Sequence, residues 1–184
     1  MPEIVIPHNW QPRDYQQPLW RYLCNGGKRA VAVWHRRAGK DDICLHWTAC
    51  AAMERVGVYW HLLPQADQAR KAIWDAVNPL TGLRRIDEAF PHAIRANTRE
   101  TDMFIRFKNG STWQVVGSDN FNSLVGTPPI GLVLSEWALA DPAAWAYLSP
   151  ILMDNGGWAV FITTPRGRAI SLAPADGTAC RSMM

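Results

Sequence analysis

A chain of 184 residues with 48% hydrophobic and 19% charged residues is large enough for one packed domain and too apolar for intrinsic disorder. Its formal net charge of +3 neither requires nor excludes a polyanionic partner, because nucleic-acid binding is marked by a clustered basic face. Cysteines stand at 24, 44, 50 and 180 without a C-x-x-C pair, which argues against a zinc site or a disulfide framework and for a reducing compartment. No apolar run reaches membrane-spanning length, and none follows a basic N-terminal stretch, so a soluble protein is expected.

In chain order, an extended lead over 3–7 precedes a helix over about 16–24, closed by the turn Asn25-Gly26-Gly27. Residues 30–34 form a short apolar strand. From 40 to about 55, Ile43, Trp47, Cys50 and Ala51 recur at helical spacing. A second strand over 58–63 ends at Pro64, and a helix over 65–77 follows. The next connection is polar; its Arg84, Arg85, Arg95 and Arg99 read as a solvated face, with a DNA-facing surface as the alternative. Residues 103–107 and 112–116 form a hairpin around Asn109-Gly110, a two-residue turn in which both positions take positive φ. The continuous apolar run over 130–134 is typical of a central parallel strand. A helix over 142–153 and a strand over 158–163, stopped by Pro165, complete the series. Strands alternating with helices, plus one inserted hairpin, predict an α/β fold with a mainly parallel sheet.

Three stretches carry candidate chemistry. In "VAVWHRRAGKDDIC" a strand runs through a basic turn into a helix, which aims backbone N–H groups and the helix dipole at one anion-sized spot. Lys40 adds a mobile charge, and Arg36 and Arg37 add two more. The spelling departs from a standard phosphate loop, with Trp34 at the first Gly and Asp41 at the hydroxyl position. About a hundred residues later, "LVLSEWA" is an apolar strand ending in an acid, Glu136, preceded by Ser135. Finally, "FITTPRG" sets Thr163 and Thr164 at the carboxyl end of a strand, where open α/β sheets place ligands. Each stretch alone is compatible with a turn, a solvated acid or a strand stop.

In this order and spacing the three resemble the ATPase half of the large terminase subunit of tailed bacteriophages and prophages, the viral DNA-packaging motor. "PRDYQQPLW" resembles its adenine-contacting segment, with Tyr15 and Gln16 as the matching residues. The resemblance spans residues 10–167 and includes "YWHLLPQADQARKAIWDAV" and "NGSTWQVVGSDNFNSLVGTPPIGLVLSEWA". It implies a P-loop NTPase of the ASCE type, a three-layer α/β/α fold with an added β-hairpin. It implies a nucleotide-binding hydrolase that uses ATP and Mg²⁺. Nucleotide contacts then fall to residues 34–41, namely Trp34, His35, Arg36, Arg37, Ala38, Gly39, Lys40 and Asp41, with Tyr15 and Gln16. Glu136 is the catalytic carboxylate, Arg37 or Arg36 the arginine acting in cis, and Thr163, Thr164 and Pro165 the coupling motif. The implied partners are double-stranded DNA, a portal protein, a small terminase subunit and further copies in a ring, in the bacterial host cytoplasm.

The usual Mg²⁺ pair is a loop hydroxyl and a strand carboxylate. Asp41 and Ser135 suggest that the two have exchanged places, which requires them to lie within about 7 Å, the reach of a shared, water-mediated ion. The duller alternative is that Asp41 caps the helix that follows. Residues 1–167 are expected to form the ATPase domain and 168–184 an irregular tail of a truncated or frameshifted chain, without the family's nuclease domain. Such a sheet would lack a strand, leave an open edge, and could be inactive as a motor. A helicase fragment shares the Gln segment, loop and acidic strand, but "GKD" with "SE" disfavours it. A non-catalytic remnant of the fold is the third reading.

Overall fold

A computed structural model of the chain describes residues 10–119, 126–165 and 180–182, the last three as backbone. Helix α1 (Gln17–Cys24) leads into strand β1 (Arg29–Val33), and residues 34–39 join β1 to α2 (Lys40–Glu54). Strand β2 (Val58–Leu63) follows, then α3 (Ala66–Ala69), which widens into a π-turn over Arg70–Trp74. After α4 (Arg85–Ala89) come β3 (Arg95–Arg99), β4 (Phe104–Phe107), β5 (Thr112–Gly117) and β6 (Pro129–Ser135). Helix α5 (Pro142–Asp154), β7 (Trp158–Thr163) and β8 (Cys180–Ser182) end the series.

The strands form one sheet in the order β3-β4-β5-β2-β6-β7-β1-β8. From β5 to β8 every neighbour is parallel; β3 and β4 are the antiparallel addition. The strand alternation sorts side chains into two layers. On β2, Tyr59 and Leu63 pack with Ile43 and Leu45 of α2, whereas Trp60 and Leu62 pack with Leu148 and Leu152 of α5. Every residue of β6 is buried, as its unbroken apolar run requires when both faces are covered. The result is a three-layer α/β/α P-loop fold. One strand, β7, separates the loop-bearing β1 from the acidic β6, so the carboxyl ends of all three meet at one rim.

Four expectations need correction. The helix over 65–77 is broken by its π-turn, where Arg70 donates to the Glu100 and Thr101 carbonyls and Trp74 Nε1 donates to Glu100 at 2.6 Å. The polar connection holds α4 and β3, too short and too polar for periodicity to reveal. The hairpin turn is a three-residue one. The Gly110 N–H reaches the Phe107 carbonyl at 3.0 Å, Gly110 alone has positive φ (96°), and Asn109 instead donates to the Ala52 carbonyl. In the expected irregular tail, Cys180–Ser182 pair in parallel with Ala30, Val31 and Ala32, adding a strand to a sheet that was expected to lack one. The lead over 3–7 and residues 168–179 of the tail lie outside the described residues.

Candidate nucleotide-binding site

The loop after β1 is shaped by two left-handed residues, Arg37 (φ 64°) and Gly39 (φ 69°). Trp34 behaves as an extension of the strand. It is buried, and its N–H donates to the Thr163 carbonyl at 3.2 Å, which explains how a bulky ring replaces the first glycine. Gly39 is the residue before α2, and no side chain caps that helix. The Asp41-cap alternative therefore fails, and the first-turn amides of α2 keep no intrahelical acceptor, which leaves an anion-binding end. A Cβ at Gly39 would stand 3.1 Å from Gln16 Nε2, so both its φ and its surroundings favour glycine.

The three distant stretches converge. Lys40, although 6% exposed, sends Nζ to the carbonyls of Trp34 (3.3 Å) and His35 (3.2 Å) and to Thr164 Oγ1 (2.9 Å). Thr164 Oγ1 in turn approaches Glu136 Oε1 at 3.4 Å. Glu136 takes a left-handed backbone (φ 49°) directly after β6, a strained conformation that turns the chain at the strand end. Thr163 Oγ1 accepts from the Ala138 N–H in the turn after Glu136, at 3.3 Å. Pro165 is exposed beside them. Gly39, Lys40, Asp41, Glu136 and Thr164 line one cavity of about 550 Å³, together with Arg36 and Arg37. His35 is exposed, with Nδ1 against the Arg36 carbonyl, and Ala38 is buried beneath the loop.

Asp41 and Ser135 are in direct contact: Ser135 Oγ donates to Asp41 Oδ1 at 2.6 Å. The same oxygen receives His61 Nε2 at 3.1 Å. Burial pushes the Asp41 carboxyl up. The hydrogen bonds and charges of His61, Ser135 and Lys40 outweigh that and hold it below the usual carboxylate range. An ionised carboxylate beside a hydroxyl, at the rim that carries Lys40, fits a hard divalent cation that shares its coordination with phosphate and water. Among the described residues no group of three or more His, Cys, Asp or Glu could hold a metal by itself, so nucleotide oxygens would have to complete the set.

Tyr15 and Gln16 lie behind the loop. Gln16 Nε2 donates to the carbonyls of Ala38 (2.9 Å) and Gly39 (3.2 Å), and its Oε1 accepts the Arg13 N–H. Tyr15 OH donates to the Ala38 carbonyl and accepts from Arg13 Nη1. The Gln16 side chain is thus occupied by protein backbone and serves here as a brace. The cavity residues that escaped sequence reading include Arg13 and Arg85; the second is held by Asp42 at 3.2 Å. The spacing of "PRDYQQ" could have flagged Arg13, whereas nothing local marks Arg85. The four arginines read as one solvated face are each held in an ion pair. Arg84 bonds Asp87 and Glu100, Arg99 bonds Asp102, and Arg95 is buried against Asp87 at 2.7 Å.

No protein-family model and no curated protein matches the sequence. Solved structures do. The large terminase ATPase domain of Thermus phage P74-26 superposes with a TM-score of 0.66 at 22% identity, covering 87% of this chain and 67% of that one. The large terminase of a second thermophilic bacteriophage gives a TM-score of 0.61 at 17% identity, over 85% of this chain and 40% of its own. The complex of that second terminase with ADP gives 0.58 at 18% identity, over 82% and 38%. At such identities the shared property is architecture: this chain has the fold of the large terminase ATPase domain.

Proposed function

We propose that the chain is the ATP-hydrolysing domain of a phage DNA-packaging motor, coupling hydrolysis to movement of double-stranded DNA into procapsids. The observation that carries the reading is the convergence of Lys40, Glu136 and Thr164 at one cavity, with Thr164 within hydrogen-bonding reach of both Lys40 and Glu136. The complex of the second phage terminase with ADP supports nucleotide binding by this fold.

In this reading the α2 amides and Lys40 take the β- and γ-phosphates, and Arg36 or Arg37 reaches the γ-phosphate in cis. Asp41 and Ser135 would hold Mg²⁺, which supplies charge neutralisation between the phosphates. Glu136 orients the water that attacks the γ-phosphorus and draws its proton as the bond to ADP breaks. Thr163, Thr164 and Pro165 report that change to the DNA-bearing parts of the motor. Residues 1–167 form the motor's ATPase domain, and portal protein, small terminase subunit and further copies in a ring are its partners, at the procapsid in the host cytoplasm. No helix among the described residues is long and apolar enough to cross a membrane.

Titration of the purified chain with a fluorescent ATP analogue tests the site. Tight binding lost in Lys40→Ala is expected, with hydrolysis, but not binding, lost in Glu136→Gln. Binding that ignores Lys40 would remove the proposal. Stimulation by procapsid components rather than duplex unwinding separates a packaging motor from a helicase fragment.

A further inference from the structure

We propose that His61 is a positioning residue for divalent-cation binding: it fixes which oxygen of Asp41 faces the cavity. The inference rests on the nucleotide-site reading and assigns a role to a residue outside the loop, the acidic strand end and the threonines.

His61 sits on β2, two residues before its end, with its side chain wholly buried. A histidine in such a place is costly unless its polar atoms are satisfied. Here one of them is not. Nδ1 has no hydrogen-bond partner among the described residues, and the ring meets Trp113 edge-on at 6.4 Å. Apolar packing alone would be served better by leucine. The polar link His61 does make is Nε2 to Asp41 Oδ1, and opposite an ionised carboxylate Nε2 must be the donor.

Two donors therefore converge on one oxygen, His61 from β2 and Ser135 from β6. Both strands are central: His61 is paired to Val115 and Val133, and Ser135 to Ile162, which holds each donor in place. Asp41 Oδ2 accepts from none of the described residues, and Asp41 lines the cavity. Pinning Oδ1 from two sides fixes the carboxylate plane and leaves Oδ2 as the oxygen to offer a cation. Orienting contacts of this kind typically contribute about tenfold to hundredfold in metal affinity.

The test measures Mn²⁺ binding by electron paramagnetic resonance, with ADP present, for the wild type, His61→Leu, His61→Gln and Lys40→Ala. ADP affinity in EDTA and thermal midpoints are recorded alongside. In His61→Leu, Mn²⁺ affinity should fall about tenfold or more, with ADP affinity in EDTA unchanged. His61→Gln, whose amide nitrogen reaches the same point, should recover most of the loss. Wild-type Mn²⁺ affinity in His61→Leu would overturn the proposal. So would losses in both variants that track their thermal midpoints, because a purely structural role behaves that way. If the wild type binds no nucleotide through Lys40, the nucleotide reading falls and this inference with it. If binding is Lys40-dependent while His61→Leu is silent, only the role of His61 falls.

Discussion

Lys40 Nζ donates to Thr164 Oγ1 at 2.9 Å, joining the phosphate loop to a strand end 124 residues away in sequence. In the proposed site a phosphate would draw this ammonium away from its two carbonyls and hydroxyl, leaving Thr164 Oγ1 bonded to Glu136 alone. Thr164→Val should leave nucleotide affinity within about threefold, the loss of one ordinary hydrogen bond. Turnover should fall by about tenfold or more, with Thr164→Ser close to wild type. Parallel binding and steady-state assays check the split; equal losses in both would deny Thr164 a coupling role.

The proposed exchange of roles between Asp41 and Ser135 can be tested by reversing it. Ser135→Asp alone sets a second carboxylate against Asp41 in place of the hydroxyl that now contacts it, where both cannot readily ionise. Asp41→Ser alone removes the charge beside the cation. Each single variant should lose the Mg²⁺-dependent gain in nucleotide affinity, and the double variant should regain much of it. Calorimetric titrations with and without Mg²⁺ form the cycle, and strictly additive losses would contradict the exchange.

Gln16 braces two loop carbonyls, so its replacement is expected to cost stability. Gln16→Ala should lower unfolding free energy by about 1–2 kcal/mol through three lost hydrogen bonds, one of which leaves the Arg13 N–H without its acceptor. Gln16→Glu should be worse at neutral pH, since a carboxylate would face two carbonyl oxygens, and should improve as acid protonates it. Urea unfolding at pH 7 and pH 4.5 distinguishes a brace from a side chain reserved for a base.

Beneath β3, Asp87 accepts from Arg84 and from buried Arg95. Burial raises its carboxyl pKa, but those bonds and charges outweigh it and hold the group below the usual range. A depressed folded pKa contributes stability that is fully present above the unfolded value near 4 and is lost as pH falls through the folded value. Asp87→Asn should therefore flatten the acid limb of the stability curve. Arg95→Met should cost about 1–3 kcal/mol at neutral pH: Asp87 keeps Arg84 but loses its buried partner, and the Phe90 carbonyl loses its donor. Denaturant melts from pH 2.5 to 7 report both.

The elements legible in the sequence were those set by long-range burial. The strands over 58–63 and 158–163 match β2 and β7 residue for residue, because their apolar runs end at Pro64 and just before Pro165. Helix α2 was equally plain. Short elements were not: α4 and β3 are ordered by Arg95 and Asp87 finding each other, a tertiary event without a periodic trace. At the site, Asp41 and Ser135 were legible as a pair because each broke an expected spelling. His61 was invisible, since in "VYWHLL" it occupies an ordinary inward position and only the sheet register sets it under Asp41. The brace role of Gln16 likewise depends on where the 34–39 carbonyls point.

Strand β7 is hydrogen-bonded along its length on both sides, to β1 and to β6. It cannot slide like a piston without breaking two ladders together, and the packed layers above and below resist such shear. Freedom begins only past Thr163, the last paired residue. In the proposed motor, a change at the cavity would have to leave as rotation about the bonds of Thr164, so the exit from this sheet would be a swivel and not a plunger.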